Sequence, residues 1–261
     1  MPGIGAYDDM PGRRSTPDLT IFVRHGRTWA NDLYGALRAK KAISANELNQ
    51  LRTTRDRDIA LGAFGVEQAR LTATWLNENV RNVSEFDKHF MSPYMRTIQT
   101  AQELSPSVDW RQDIRLAEQD YGIFATMTPD EHEAVWPGFR DEVRSDPWNV
   151  CYPGGESFGD VVRRYSSFQE NLLYDSGIEA ALIVSHAGLI NAARCHIERI
   201  EPSVYTKQDA NGVDPVRNAS VLIYSRLNPA TGRRASGDIL WRRLVHPAYP
   251  ELATSSDWHQ V

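Results

Sequence analysis

The feature that most constrains this chain is the way its apolar runs end. Leu19 to Val23 read LTIFV, and the chain then passes without a break into Arg24-His25-Gly26-Arg27. A second run, ALIV at 181–184, leads in the same way into Ser185-His186. Uninterrupted apolar runs of this length suit strands covered on both faces. Between such runs the apolar period changes. Val66, Ala69, Ala73, Leu76 and Val80 mark one helical face, and Phe158, Val161, Val162, Tyr165, Phe168 and Leu172 mark another. Further strands are expected in FDKHFMS (86–92), ASVLIY (219–224) and ILWRRLV (239–245), the last two separated by the turn-rich NPATGRRASGD. Ser92-Pro93 predicts the start of a helix over YMRTIQTAQEL, and the segment after His186 opens another. Ser157 with Asp160, and Ser44 with Glu47, have the spacing of capping boxes. Strands alternating with helices predict an α/β fold: a mostly parallel central sheet flanked by helices on both faces, in three layers.

No break in composition demands a second domain, so residues 19–261 are read as one domain. The Gly-, Pro- and Asp-rich residues 1–18 are expected to be a loose, flexible extension. With 41% hydrophobic and 24% charged residues the chain has ample material for a core. Its formal charge of -5 argues against nucleic acid or a membrane surface as the main partner, so any anion site must be a local concentration of cations. Cys151 and Cys195 do not make a disulfide framework and are expected to be structural thiols. No metal-ligand spacing is present, and neither a metal nor another cofactor is expected. With no secretory signal or membrane-length apolar run visible, a cytoplasmic location is expected.

Ligands of open α/β sheets sit beyond the carboxyl ends of the strands. His25 follows one apolar run by two residues and His186 follows another by two. If those strands are neighbours, both imidazoles land on one rim. Arg24 lands there too, as does Arg96 from the first turn of the helix after FDKHFMS. The start of the helix after His186 adds N–H groups and the positive end of a dipole. Such a gathering suits a dianion such as phosphate.

VRHGRT, SPYMRTIQTAQ, LAEQDYG, PGGES, VSHAGLI and NASVLIY occur in this order across residues 19–245. The set resembles the histidine phosphatase superfamily, branch 1, the phosphoglycerate-mutase-like group. The resemblance implies that family's three-layer fold and a covalent mechanism. His25 would attack phosphorus and become a phosphohistidine. Arg24, Arg96 and His186 would hold the phosphoryl oxygens, and Glu118 in LAEQDYG would donate a proton to the leaving alcohol. Arg27, Thr28 and Asn31 are further substrate-binding candidates. Gly154, Gly155 and Glu156 are read as a structural turn before a helix, and the other five histidines as packing or surface residues.

One segment departs from the family's layout. At about 33–62, where the mutases place a short glycine-containing loop, this chain has a longer, charged, cap- or lid-like insertion. It carries Arg38, Lys40, Lys41, Arg52, Arg55 and Arg57, for which a solvated surface is preferred over a lid on an anionic substrate. The departure favours a metal-independent phosphomonoesterase acting on small anionic phosphorylated metabolites. A mutase-type phosphotransferase is the alternative, and a catalytically idle phosphate-binding or scaffold protein is a third reading. Relatives often pair, which leaves a homodimer open.

Overall fold

The computed structural model describes residues 17–174, 177–210, 215–235, 239–249, 251–252 and 257–261. The expected extension falls outside the described residues except at its end, where Asp18 accepts from the Arg226 amide and pairs with Arg234.

The two apolar runs are neighbouring strands. β1 (Leu19–Arg24) pairs in parallel with β4 (Ala180–Ser185), and Arg24 lies opposite Ser185. β4 pairs in parallel with β2 (Lys88–Met91), which pairs in parallel with the two-residue β3 (Arg111–Gln112). On the other side of β1 come β5 (Val221–Ser225), β6 (Trp241–Val245) and β7 (His259–Gln260), all antiparallel. The sheet order is therefore β3-β2-β4-β1-β5-β6-β7, a mixed sheet with a parallel core. The expected mostly parallel arrangement holds around the site. Within the antiparallel extension, β5 and β6 are joined through NPATGRRASGD, too short for a crossover helix.

Alternate residues of each strand enter opposite layers, as the pleat requires. Phe22, Ile183 and Leu222 pack with Val161, Tyr165 and Phe168 of α7 (Phe158–Tyr174) and with Leu189 and Ile190 of α8 (Ala187–Ile197). Ile21, Val23, Leu182 and Val184 pack with Leu76 of α3 (Ala63–Asn79) and with Ala101 and Leu104 of α4 (Met95–Leu104). Both faces are dry, which is why these runs carry no polar alternation. The fully buried residues of α3 are Gly65, Gln68, Ala69, Thr72 and Leu76, and the expected Ala73 and Val80 pack partly buried against the core, so the face is wider than expected and includes the polar Gln68 and Thr72. Gln68 and Thr72 are hydrogen-bonded, to the Arg27 amide and the Ala219 carbonyl, so their burial is compensated.

Both expected capping boxes form: Ser157 and Asp160 enter α7, and Ser44 and Glu47 enter α2 (Ala45–Thr53). The start of α4 differs. Its N-cap is Tyr94, two residues later than expected, and the Ser92 hydroxyl meets both the Tyr94 amide and His186. α1 (Trp29–Arg38), α2 and a helical turn at Asp56–Asp58 make up most of the stretch before α3. α5 (Pro129–Val135) and α6 (Phe139–Ser145) lie between Glu118 and α7, and α9 (Pro202–Ala210) follows α8. Cys195 is buried in the core, whereas Cys151 is exposed, contrary to a packing role for both thiols.

Candidate active site

The carboxyl ends of β1, β4 and β2 bring four side chains to one point. The His25 amide donates to the Ser185 carbonyl at 2.9 Å, which continues the β1–β4 ladder and fixes the two histidines side by side. Their ring centroids are 5.2 Å apart. Glycine is required just beyond the strand. A Cβ on Gly26 would overlap the Gly65 carbonyl, and one on Gly65 would overlap Arg27, so the turn after His25 presses directly on α3.

His25 is buried, and its Nδ1 lies 2.8 Å from the Gly26 carbonyl. A carbonyl only accepts, so Nδ1 carries the proton and Nε2 carries the lone pair. Burial, then the Arg96 and Arg24 charges, push the His25 pKa well below its ordinary value, which keeps the ring neutral. His186 is held by the same logic. Its Nδ1 accepts from Arg96 Nε at 3.3 Å, so Nε2–H donates to Ser92 Oγ at 2.8 Å. Burial, with the Arg96 charge second, lowers its pKa well below the ordinary value too.

Arg24 donates from Nη1 to the Val216 carbonyl at 2.7 Å. Its buried Nε finds no acceptor among the described residues and remains a donor for an anion. Arg96, the second residue of α4, is 6% exposed and pairs with Asp56 at 3.1 Å. That carboxylate offsets both its burial and its unfavourable place at a helix start.

Glu118 reaches the same point from a loop after the helical turn Ile114–Leu116. Its Oε1 accepts from the amides of Gln119 at 3.0 Å and Gly188 at 3.1 Å. Burial raises its pKa, against the Arg96 and Arg24 charges and the Gln119 hydrogen bond, so the proton is held more tightly than by an exposed glutamate. The N-terminus of α8, expected to face an anion freely, thus spends one of its amides on Glu118. A Cβ on Gly188 would occupy the position of Glu118 Oε1. PGGES is the structural element that supports this loop. Arg164 donates to the Glu118 carbonyl at 3.0 Å while pairing with Glu156 at 2.9 Å.

The remaining candidates separate. Asn31 lines the cleft and its Oδ1 accepts from Asn218 at 3.3 Å. Thr28 is buried and N-caps α1, its hydroxyl accepting from the Asn31 amide at 3.1 Å. Arg27 turns to Asp32 at 2.5 Å and is not gathered with the others. Sequence reasoning missed Ser92 as the partner of His186, Gly188 as the space for Glu118, and Asp56. It also placed His132 among the bland histidines, whereas His132 lines the cleft. The lysines of the 33–62 segment are exposed and Arg52 pairs with Glu131, in line with a solvated surface, but Arg38 lines the cleft.

That cleft has a volume of about 500 Å³. Arg24, Asn31 and Asp56 are among its lining residues, together with the rings of Tyr34, Tyr121, Phe124, Phe139 and Tyr152 and the cations Arg38, Arg140 and Arg144. Among the described residues no group of three His, Cys, Asp or Glu side chains converges as a metal ligand set. Nor is any described helix long and apolar enough to cross a membrane.

A buried pair of neutral histidines, two arginines and a glutamate thus converge at the carboxyl ends of the strands of a three-layer α/β protein, an arrangement suited to an anion. The sequence profile of the histidine phosphatase superfamily (branch 1) matches residues 20–224, and this chain belongs to that family. It is 28% identical over 223 residues to the 2,3-bisphosphoglycerate-dependent phosphoglycerate mutase of Nitrobacter hamburgensis, covering 81% of this chain and 98% of that protein. It is also 28% identical over 151 residues to phosphoserine phosphatase 1 of Hydrogenobacter thermophilus, covering 57% of this chain and 69% of that protein. Among solved structures, the mycobacterial glucosyl-3-phosphoglycerate phosphatase in complex with VO3 superposes with a TM-score of 0.62 at 21% identity. The match covers 94% of this chain and 97% of that one. Mutases and phosphatases thus stand side by side among the relatives.

Proposed function

We propose that this protein hydrolyses small phosphomonoesters through a phosphohistidine on His25, without a metal. The observation that carries this reading is the fixed tautomer of His25: Nδ1–H is spent on the Gly26 carbonyl and Nε2 keeps its lone pair. In the first step Nε2 attacks phosphorus and the bond from phosphorus to the ester oxygen breaks. The leaving oxygen takes its proton from Glu118, whose raised pKa suits a general acid. In the second step water attacks phosphorus, Glu118 takes a proton from it, the P–N bond breaks and inorganic phosphate leaves. Arg24 and Arg96 hold the phosphoryl oxygens through both steps and neutralise the charge they carry, and neutral His186 joins them where a phosphoryl oxygen takes its Nε2–H from Ser92.

Hydrolysis rather than transfer is supported by the departure of the 33–62 segment from the mutases' short loop and by the phosphatase among the relatives. A mutase must shield that intermediate and present it to a second hydroxyl. The substrate is a small phosphorylated metabolite, not a nucleic acid or a membrane, in keeping with the formal charge of -5 and the local concentration of cations.

The deciding assay is phosphate release from p-nitrophenyl phosphate and a panel of phosphorylated metabolites in EDTA, for wild type and His25→Ala. Wild-type turnover reduced on the order of 10⁴-fold or more in the variant is expected, as for loss of other catalytic nucleophiles. Unchanged release in His25→Ala would sink the reading. Chasing labelled phosphoenzyme with water or with 2- or 3-phosphoglycerate separates hydrolase from mutase.

A further inference from the structure

One carboxylate at the site belongs to none of the motifs. Asp56 lies in the helical turn between α2 and α3, within the 33–62 segment. Its Oδ1 accepts from Arg96 Nη1 at 3.2 Å and its Oδ2 from Nη2 at 3.1 Å. Its backbone carbonyl accepts from Nη1 as well, at 2.6 Å. A guanidinium offers two bidentate edges: an end edge made by Nη1 and Nη2, and a side edge made by Nε and the other hydrogen of Nη2. Asp56 takes the end edge. The side edge faces His186, with Nε 3.3 Å from Nδ1. Arg96 Cζ lies over the Tyr94 ring, 4.9 Å from its centroid. The end edge, the side edge and Cζ of the planar group thereby each have a neighbour.

We propose that Asp56 is the positioning residue for Arg96: by taking the end edge, it aims the side edge at two phosphoryl oxygens, one taking the remaining Nη2 hydrogen and the other displacing His186 Nδ1 from Nε–H. This rests on the phosphoryl-transfer reading above. Bidentate recognition of a phosphoryl group requires the guanidinium plane to be aligned before the ligand arrives, and an unheld arginine would lose rotamer freedom on binding. Asp56 removes that loss. It also offsets part of the Arg96 charge, so what it supplies is orientation rather than net attraction. Orientation counts most in the transition state, where the phosphoryl oxygens move into the plane of the attacking and leaving groups' shared trigonal centre. The 33–62 segment is thus joined to the chemistry through a carboxylate, not through the cations that dominate its sequence.

The test is a double-mutant cycle over wild type, Asp56→Ala, Arg96→Ala and the double variant. It reads kcat and KM on one ester and, by direct titration, the affinity for orthovanadate, a five-coordinate phosphorus mimic. Asp56→Ala is expected to lower kcat and vanadate affinity by about 10²-fold, the scale of a small misplacement at a reacting centre, with a smaller change in KM. In the Arg96→Ala background, Asp56→Ala should change nothing further. Asp56→Asn keeps one acceptor oxygen and should fall between wild type and Asp56→Ala; melting curves show that each variant is folded. Additive losses in the two backgrounds would overturn the proposal and make Asp56 a docking residue only. Tighter binding of vanadate or inorganic phosphate by Asp56→Ala would overturn it too, and would make Asp56 a competing anion. If wild type binds vanadate yet turns over no ester, the hydrolase reading fails while the cycle on vanadate affinity still decides the role of Asp56.

Discussion

The inner and outer ends of the cleft are built on different principles. The inner end rests on β1, β4 and the start of α4, and its two histidines are almost wholly buried, each with its ring nitrogens assigned by a neighbour. The outer end rests on α1, α6 and the loops around them, and Arg38, Arg140 and Arg144 there are exposed. Aromatic rings floor it, with Phe124 and Phe139 buried and 5.1 Å apart between centroids. A rigid inner end sets reaction chemistry, because protonation states and donor directions there are fixed before substrate binds. A solvated outer end can change its charges and shape without disturbing that geometry, and so is the place where selectivity among phosphate esters can reside.

Substitutions at the two ends should therefore differ in kind as well as in size. The largest effect after loss of the nucleophile is expected for Glu118→Gln, which removes the acid but keeps an acceptor for the Gly188 amide. Its kcat should fall by about 10²–10⁴-fold. Wild-type activity is expected to fall with rising pH as Glu118 ionises, and that fall should be absent in the variant. The same variant should melt at a higher temperature than wild type near neutral pH, because it removes a carboxylate that burial disfavours in its charged form. A Glu118→Gln enzyme with a wild-type pH profile would break the assignment.

Gly188→Ala comes next. The added methyl would occupy the position of Glu118 Oε1, so the carboxyl must move by an ångström or more. A loss of about 10²-fold in kcat is expected, with helix α8 slightly favoured by the alanine. Unimpaired turnover would mean that Glu118 does its work from another position.

At the outer end, removing Arg140 and Arg144 together should raise KM by roughly tenfold for esters with a second anionic group. The kcat should change little, which is the signature of lost uniform binding. The increase should shrink at high salt, because these charges are exposed. A drop in kcat equal to the loss in kcat/KM would show that the two ends are not separable.

The smallest effect is on stability. His25 and His186 have folded pKa values well below the ordinary 6.5. Above about pH 6.5 both states of the chain carry them neutral, and they contribute no pH dependence. Below it the unfolded chain takes up protons that the folded chain refuses, so stability falls by up to about 1.4 kcal/mol per group per pH unit. Glu118 acts in the opposite sense: its raised pKa contributes stability at low pH that is lost as pH rises through the folded value. A melting temperature lower by several degrees at pH 5.5 than at pH 6.5 is expected, less so in His25→Gln and more so in Glu118→Gln. A flat profile would show that the histidines are more hydrated than their burial implies.

Much of the inner end was legible in the residues because it hangs on local rules. An apolar run must end where its sheet ends, and a parallel strand delivers the next residues to the ligand side, so His25, His186 and Arg24 could be placed from spacing alone. Arg96 followed from the helix after β2, though the N-cap fell on Tyr94. Glu118 sits in a loop with no period to read, and only the LAEQDYG resemblance pointed to it. Arg27 shares the RHGR run with the site, yet its side chain goes to Asp32, an acceptor in the first turn of α1.

The sequence by itself determined the layered α/β fold, the two capping boxes and the placing of each histidine just past the carboxyl end of an apolar strand. All of these depend on periodicity and on neighbours a few residues apart. Only the tertiary structure decided that Gly188 makes room for Glu118, that Ser92 holds His186, and that Asp56 grips Arg96. Each of these joins residues 40 to 94 positions apart through one hydrogen bond or one contact. Directional interactions of a few ångströms leave no periodic trace along the chain, because their partners are chosen by where the packed elements come to rest.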